Sequence, residues 1–314
     1  MKELGEIDAK ILKELLKDGR KSFTAIAEEC HTSKDIIGKH FSEMQKAGII
    51  VGATIQYNYR CFGYEGVASI LVNVESQHLN EVFERLTEVP NISVRRQYNS
   101  PYNIAVVTKL KDLKGLDFVK ETLKRQNPVN SSKTYLWTDV RNTPENLSLC
   151  FVQNNAQVDE KRPQEEKCTK NDRVKLDEID MQIVEELTRD GRTPFSRIGQ
   201  SIGASTDTVT KRYAKLVKNG FIKVSIQVNL TLLGYTALLN FFIEFLSQNE
   251  MKMAVENLSK IPTVSYIIKI SGDYDLQVLA IVKEIEEIYT INEEIMKIPN
   301  IGKIEADIRK IPSR

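Results

Sequence analysis

The chain has 314 residues, enough for two to four domains that each bury a hydrophobic core. Its 44 lysines and arginines almost balance its 43 aspartates and glutamates, so the formal net charge is only +1. This balance excludes a global positive field as the source of any nucleic-acid affinity, which must then come from local patches.

Composition also restricts the redox and membrane chemistry. The four cysteines lack a paired Cys-x-x-Cys spacing, which favours reduced thiols over disulfides or a zinc site: Cys30, Cys61, Cys150 and Cys168. The sequence opens without an apolar signal segment. The longest apolar run, 236–246, contains Asn240 and Glu244 and is too short to span a bilayer. We therefore expect a cytoplasmic protein without a metal, a cofactor or a membrane partner.

The same landmarks occur twice, about 172 residues apart. Glu-Ile-Asp at 6–8 returns at 178–180, Asp-Gly-Arg at 18–20 returns at 190–192, and Gly-Tyr at 63–64 returns at 234–235. Solenoid repeats run roughly 20–50 residues, so a period this long indicates a duplicated multi-domain unit.

The first third of each copy is predicted to form three helices. Apolar residues fall four apart from Glu6 to Lys17, and the second copy repeats this spacing with Ile179, Ile183 and Leu187. Asp-Gly-Arg ends this helix, which we attribute to a left-handed glycine. A short second helix follows, and in the second copy Thr193-Pro194 is expected to cap it.

A third helix is predicted to begin at Ser33 and at Ser205, and to end at the C-terminal glycines Gly48 and Gly220. Two short helices, a tight turn and a longer third helix are typical of a helix-turn-helix.

The polar face of the third helix suits the DNA major groove, because hydroxyl and basic groups reach phosphates and base edges. The candidate contacts are Ser33, Lys34, Lys39 and His40 in the first copy, and Ser205, Thr206, Thr208, Thr210, Lys211, Arg212 and Lys215 in the second. Residues 205–223 carry five basic residues against one acidic residue, whereas 33–51 carry three against two. The second copy is therefore expected to bind DNA more strongly. A solvated helix surface is the alternative interpretation.

The rest of each copy is predicted to be a mixed sheet. Strands are expected at 67–75, 92–98, 103–110 and 133–140 in the first copy, and at 236–246, 264–270, 275–282 and 302–308 in the second. Helices are expected at 77–88, 113–126, 249–260 and 283–297. The order strand-helix-strand-strand-helix-strand is a ferredoxin-like arrangement.

The predicted fold is therefore α+β, with two helix-turn-helix heads each followed by a ferredoxin-like domain. The expected boundaries are a head at 4–65, a sheet domain at 66–141, a linker at 142–175, a head at 176–237 and a sheet domain at 238–314. Residues 238–246 are apolar at nearly every position, which predicts that both faces of this strand are covered. Its own helices would cover one face, and another sheet domain the other.

These features resemble the Lrp/AsnC family of transcription regulators, whose sheet domain is called a RAM domain. The resemblance rests on the Ile-Asp pair, Asp-Gly-Arg, the serine that begins the third helix, Gly-Phe-Ile-Lys at 220–223, and the turn at 271–276. It implies a sequence-specific DNA-binding regulator that self-associates through its sheet domains. Pairing within one chain and between chains both fit the sequence.

The resemblance also implies a small effector, such as an amino acid, beside the turn that precedes the third sheet strand. The candidate effector residues are Gly272, Asp273, Tyr274 and Asp275. A carboxylate there would meet an ammonium group, and glycine would let the backbone approach a ligand. The first copy has Ser-Pro-Tyr-Asn at 100–103, without a glycine or a carboxylate, so we expect a structural turn there.

Two alternative functions remain open. Sirohaem decarboxylases share this fold, so the architecture alone does not establish DNA binding. The three histidines, His31, His40 and His78, form no convergent catalytic motif, and we expect that the chain is not an enzyme. A metabolite-sensing module with one degenerate head is the other alternative, because the first head carries little net charge.

Overall fold

The computed structural model describes residues 4–89, 92–97, 101–125, 129–142, 176–247 and 251–311. The predicted linker from residue 143 onward lies outside the described residues, as do Ser100, Cys150 and Cys168. The chain divides into two compact units, Met1–Phe62 with Leu147–Gly234, and Gly63–Asn146 with Tyr235–Arg314. We call them the head unit and the sheet unit.

The described elements follow the predicted order, except that an unpredicted strand follows the third helix in each copy. The helices are α1 Glu6–Lys17, α2 Phe23–Glu29, α3 Lys34–Lys46, α4 Leu79–Thr87, α5 Leu113–Arg125, α6 Glu178–Arg189, α7 Phe195–Ile202, α8 Thr206–Lys218, α9 Met251–Leu258 and α10 Glu286–Met296. The strands are β1 Ile50–Tyr57, β2 Gly66–Val74, β3 Ile92–Arg96, β4 Ile104–Leu110, β5 Val129–Asn142, β6 Ile222–Val228, β7 Ala237–Phe245, β8 Val264–Ser271, β9 Leu276–Val282 and β10 Ile301–Lys310. The α+β fold class is confirmed.

The two heads of the head unit exchange strands. β1 of the first copy pairs antiparallel with β6 of the second, from Ile50 opposite Val228 to Tyr57 opposite Ile222. Ile226 of β6 is buried in the core of the first head, and Ile55 of β1 is buried in the core of the second. Neither three-helix core is complete without the other copy, so the two heads form one folding unit.

Each Asp-Gly-Arg motif requires glycine because a strand of the other copy packs closely against it. The predicted left-handed conformation of this glycine is wrong. Gly48 and Gly220 have a positive φ and end α3 and α8, as predicted. Gly19 and Gly191 are not among the described glycines with a positive φ. A Cβ at Gly19 would lie 2.8 Å from Val224 Cγ1. The Gly19 amide donates to the Val224 carbonyl at 2.8 Å, and the Gly191 amide donates to the Ala53 carbonyl at 2.9 Å. A side chain would prevent this docking.

The predicted cap of the second helix also needs correction. Pro194 is the N-cap of α7, and Thr193 instead donates its hydroxyl to the Asp190 carbonyl at 2.9 Å. Proline has no side-chain acceptor for the first turn, whereas Ser22 supplies one to Ala25 at the same place in the first copy.

The sheet unit contains one eight-stranded antiparallel sheet, in the order β10-β7-β9-β8-β5-β2-β4-β3. Each half has the ferredoxin-like strand order. The halves join where β5 pairs with β8, from Leu136 opposite Ser271 to Asn142 opposite Tyr266. β5 extends beyond the predicted 133–140 at both ends: its first residues pair with β2 of the same half, and its last two pair with β8 of the other half.

Three cores stabilise the sheet unit. One lies between the first half of the sheet and α4 and α5, and another between the second half and α9 and α10. The third lies between the two halves and includes Leu71 and Tyr135 of the first copy with Phe242 and Ile268 of the second. Phe241 faces the helix-side core and Phe242 faces the third core. Both faces of β7 are covered, as predicted, and the two sheet domains pair within one chain.

Candidate nucleic-acid interface and effector turn

The third helices of the two heads, α3 and α8, begin at the predicted serines. Ser33 Oγ accepts a hydrogen bond from the Ile36 amide at 3.3 Å, and Ser205 Oγ accepts one from the Thr208 amide at 3.1 Å. Each cap satisfies an amide of the first turn that has no helical partner. Both serines are exposed. The caps therefore fix the helix ends that would approach a phosphate.

The exposed surface of α8 carries most of the predicted contacts of the second head. Thr206, Thr210, Lys211 and Lys215 are all exposed, whereas Thr208 is half-buried and its hydroxyl pairs with Ser205 at 2.8 Å. Lys211 Nζ lies 2.8 Å from the Asp207 carboxylate, one helical turn away, and this partner raises the pKa of Lys211. An exposed pair of this kind is weak, so Lys211 can exchange Asp207 for a phosphate.

Two predicted contacts, His40 and Arg212, also link the third helix of each head to the start of the first helix. They occupy equivalent positions in the two copies. His40 Nδ1 lies 2.7 Å from Asp8 Oδ1. Arg212 Nη1 donates to Asp180 Oδ1 at 3.1 Å and to Asp177. Their carboxylate partners make them positioning groups for the third helices.

The second helices increase the charge difference between the heads. α2 ends in Glu28 and Glu29, and the equivalent residues of α7 are Gln200 and Ser201. Exposed Arg197 on α7 replaces Ala25 of α2. The second head therefore combines α8 with a basic neighbouring helix, whereas α3 lies beside an acidic one. The predicted contacts Lys34 and Lys39 are exposed on α3.

The arginines of the two Asp-Gly-Arg motifs cross between the heads. The Arg20 guanidinium carbon lies 4.1 Å from the centre of the Phe195 ring and 5.4 Å from that of Tyr213. Arg192 lies 5.2 Å from the Phe23 ring and 5.0 Å from that of Phe41. Burial lowers the pKa of both arginines. Each arginine thus stacks on the second and third helices of the other head.

Main-chain acceptors fix both crossing arginines. Arg20 Nη1 donates to the carbonyls of Gly191 at 2.7 Å and Thr193 at 3.0 Å, and Arg192 Nη1 donates to the Gly19 carbonyl at 2.5 Å. The sequence showed these arginines only as repeat landmarks. Their hydrogen bonds join residues more than 170 positions apart in the chain, and helical periodicity does not reveal such contacts.

In the sheet unit, the predicted effector residues lie at the interface between the two sheet domains. Gly272 has a φ of +156°, and a Cβ there would lie 2.7 Å from Tyr135 Cδ1. Asp273 forms an ion pair with Lys133 at 3.0 Å. The ring centres of Tyr274 and Phe242 are 5.6 Å apart.

The fourth effector candidate, Asp275, caps the end of a strand. Its Oδ2 accepts a hydrogen bond from the Phe245 amide at 2.8 Å. In the first copy Asn103 Oδ1 accepts from the equivalent amide, that of Val74, at 3.0 Å. Because Asp and Asn perform the same task in the two copies, this position has a structural function independent of any effector.

Two features are absent from the described residues. Within them, no group of three or more His, Cys, Asp or Glu side chains is arranged to hold a metal ion. No helix in the described ranges has the length and apolarity needed to cross a bilayer. His78 lies 3.6 Å from Glu81, and His31 is exposed. Within the described ranges, neither Cys30 nor Cys61 forms a disulfide.

Comparison with protein families assigns three segments. Residues 176–217 match the AsnC-type helix-turn-helix domain, and residues 236–309 match the Lrp/AsnC ligand binding domain. Residues 4–51 match a winged helix-turn-helix DNA-binding model.

Curated relatives agree with these matches. An uncharacterized HTH-type transcriptional regulator of Pyrococcus horikoshii is 33% identical over 140 residues, which cover 44% of this chain and 89% of the relative. The HTH-type transcriptional regulator FL11 of the same organism is 32% identical, over 41% of this chain and 85% of FL11. The chain belongs to the Lrp/AsnC family. The relatives match less than half of it, as expected if it contains two copies of their unit.

A solved structure matches the whole tandem arrangement. The crystal structure of the siroheme decarboxylase NirDL covers 96% of this chain and 90% of its own chain, with a TM-score of 0.68 and 17% sequence identity. This likeness shows a shared fold of two heads and two sheet domains.

Proposed function

We propose that this protein regulates transcription by binding duplex DNA chiefly through the second head. The observation that carries the proposal is the unequal charge of two heads with the same fold. Exposed Arg197, Lys211 and Lys215 lie on α7 and α8, whereas Glu28 and Glu29 lie beside the third helix of the first head. Neutralisation of phosphates supplies most of the sequence-independent affinity of such heads.

The first head acts mainly as a partner that positions the second. Arg20 stacks on Phe195 of α7 and Tyr213 of α8, so the first head holds both DNA-facing helices of the second. Its own exposed cations, Lys34 and Lys39, add weaker phosphate contacts.

DNA binding is tested with the full chain and a pool of randomised duplexes, across a series of salt concentrations. Replacing Lys211 and Lys215 by alanine removes two exposed cations of the second head. We expect weaker binding and a decrease of about two units in the slope of log affinity against log salt. The matched control replaces Lys34 and Lys39. Arg212 is left intact because its ion pairs hold α8 in place. Equal losses in the two double variants would contradict the proposal.

The sheet unit is proposed to bind a small ligand, as its match to the Lrp/AsnC ligand binding domain suggests. An amino acid remains the proposed ligand class, with Gly272, Asp273, Tyr274 and Asp275 as the proposed site. The test is a rise in melting temperature of the full chain, since a ligand selective for the folded state stabilises it. The isolated second copy is unsuitable, because it would expose Phe242 and its neighbours in the third core.

An enzymatic role is the second candidate, favoured by the whole-chain fold likeness to NirDL. We propose that the chain is not an enzyme: the ring of His40 is engaged by Asp8, and the curated relatives are named transcriptional regulators. Titration with an iron-uroporphyrin, followed by visible absorbance, tests this view. Tight binding with loss of carbon dioxide would establish the enzyme instead.

A further inference from the structure

The space between the two halves of the sheet unit is aromatic in one part and polar in another. Tyr135, Phe242 and Tyr274 pack together in the aromatic part. The polar part lies where Gln97, which directly follows the outer strand β3, meets Asp307 of the other outer strand, β10. We call it the polar cluster, and it consists of Arg95, Gln97, Asn240, Gln277, Asp307 and Arg309.

A chain of side-chain hydrogen bonds links four members of the polar cluster. Gln97 Nε2 donates to Asp307 Oδ2 at 3.1 Å, and Asn240 Nδ2 approaches the same oxygen at 3.5 Å. Gln277 Nε2 donates to Asn240 Oδ1 at 2.8 Å. All four residues are buried. The chain crosses from the first copy to the second, so the cluster belongs to both.

Several polar atoms of this cluster are buried without a hydrogen-bond partner within the described residues. They are Nε and Nη2 of Arg309, Oε1 of Gln97 and Oε1 of Gln277. Arg309 is only 7% exposed. An unsatisfied buried charged group costs more than a neutral one, and such groups are rare unless they serve a purpose.

The charges of the cluster favour an anion. Burial lowers the pKa of Arg309 to about 10, Asp307 opposes this change, and the nearby Arg95 adds to it. Arg309 and Asp307 are buried and Arg95 is exposed, so the cluster as a whole carries one net positive charge. A negative partner close to Arg309 would stabilise this charge.

The two copies differ in chemistry at this place. Asp307 and Arg309 of β10 are equivalent to Tyr135 and Trp137 of β5. β5 pairs with β8 through its main chain, whereas β10 and β3 are the outer strands of the sheet and meet through the Gln97–Asp307 side-chain bond. β10 thus carries charged residues at the two positions where β5 carries aromatic ones. Arg95 of β3 is exposed.

The geometry points to a binding site for a small carboxylate in the polar cluster, with Arg309 as its main anchor. Nε and Nη2 form the edge of the guanidinium group that matches the two oxygens of a carboxylate. The free Oε1 atoms of Gln97 and Gln277 accept hydrogen bonds from a donor group on the same ligand. The site is distinct from the turn that contains Gly272.

The test uses the full chain without DNA, so its outcome is independent of the proposed regulatory function. Melting temperature and calorimetric titration are measured with matched pairs at constant ionic strength: propionate and propionamide, benzoate and benzamide, glycine and glycinamide. We expect the carboxylate of at least one pair to raise the melting temperature, and its amide to leave it unchanged.

Arg309→Lys keeps the charge but removes the two-nitrogen edge, and should weaken carboxylate binding at least about tenfold. Arg96→Lys is the control, since Arg96 donates to Asn80 at 2.8 Å and stacks on Phe83, outside the polar cluster. If Arg309→Lys fails to fold, the Nε–H nuclear magnetic resonance signal of Arg309 in the unmodified protein replaces it, and should shift with the carboxylate alone. No carboxylate-specific change in any pair, or unchanged binding by a folded Arg309→Lys, overturns the site.

Discussion

The guanidinium of Arg20 in the first head stacks on the ring of Phe195 in the second, at 4.1 Å from its centre. This contact makes the stability of one DNA-binding helix pair depend on a residue of the other copy. Arg20→Ala should therefore destabilise the whole head unit, by about 2 kcal/mol for a partly desolvated cation–π contact. Urea unfolding measures the loss.

Arg189→Ala is the matched control for Arg20→Ala, because Arg189 is exposed and, among the described residues, its ion pairs are with Glu185 and Glu186 of its own helix. Its loss should change the free energy of unfolding by less than about 1 kcal/mol. Arg20→Ala should also weaken DNA binding although Arg20 lies in the weaker head. Unchanged stability and unchanged affinity would show that the heads are independent.

Asp275→Asn and Asn103→Asp should change the free energy of unfolding by different amounts. Asp275→Asn keeps an acceptor for the Phe245 amide, so the free energy of unfolding should hardly change. Asn103→Asp should cost about 1–3 kcal/mol, since Asn103 Nδ2 also donates to the Val74 carbonyl at 2.6 Å and a carboxylate cannot. Thermal unfolding of the two variants checks this order, and the reverse order would refute the capping role.

Asp275 also offers a test of effector binding. If its carboxylate meets an ammonium group, Asp275→Asn should abolish the amino-acid-dependent rise in melting temperature while leaving the unliganded melting temperature in place. Asp273→Asn, which removes the ion pair with Lys133, is the parallel variant at the same turn. A full response in both variants would exclude the two carboxylates as ligand contacts.

Tyr213 should make the head unit sensitive to alkaline pH. Burial raises the pKa of Tyr213 to about 12, above its usual value of 10.0. The neutral phenol is favoured in the fold, so its stabilisation is complete below pH 10 and is lost between about pH 10 and 12. Tyr213→Phe should remove this part of the pH dependence, and Phe41 already occupies the equivalent position in the first copy. Unfolding measured from pH 9 to 12 should differ between the two proteins only above pH 10.

Phe242→Ala should separate the two halves of the sheet unit. Its side chain is 3% exposed and packs against Tyr135 in the third core, with ring centres 5.2 Å apart. Truncation of a buried phenylalanine costs about 3–5 kcal/mol. Leu246→Ala, at a side chain that is 76% exposed, is the control and should have little effect. Similar losses from the two variants in urea unfolding would argue against pairing of the halves.

The repeat and the helical periodicity were sufficient to predict the helices, the ferredoxin-like order and the cover on both faces of β7, because these features depend on short-range patterns. The exchange of β1 and β6 was missed. Ile222, Val224 and Ile226 alternate with polar residues, which is a strand pattern, but their partner is far away in the chain.

The predictions of site residues were likewise limited to what the spacing along a single helix shows. Spacing along α3 and α8 correctly located the exposed lysines and the capping serines. It also placed His40 and Arg212 among the DNA contacts, which stays a prediction, but it did not show that each has a carboxylate partner on another helix. Asp8 and Asp180 are 32 residues away from these two side chains. Arg309 was not singled out, since a buried arginine at a strand end has no short-range signal.

Strand exchange inside one covalent chain has a consequence for operator symmetry. In a homodimer every substitution appears twice, so both halves of the binding site must change together and the operator stays palindromic. Here a substitution in α8 leaves α3 untouched, while β1 and β6 keep the two heads in one folding unit. One head is then free to evolve sequence preference while the other drifts, and the expected operator is a single strong half-site with a degenerate neighbour.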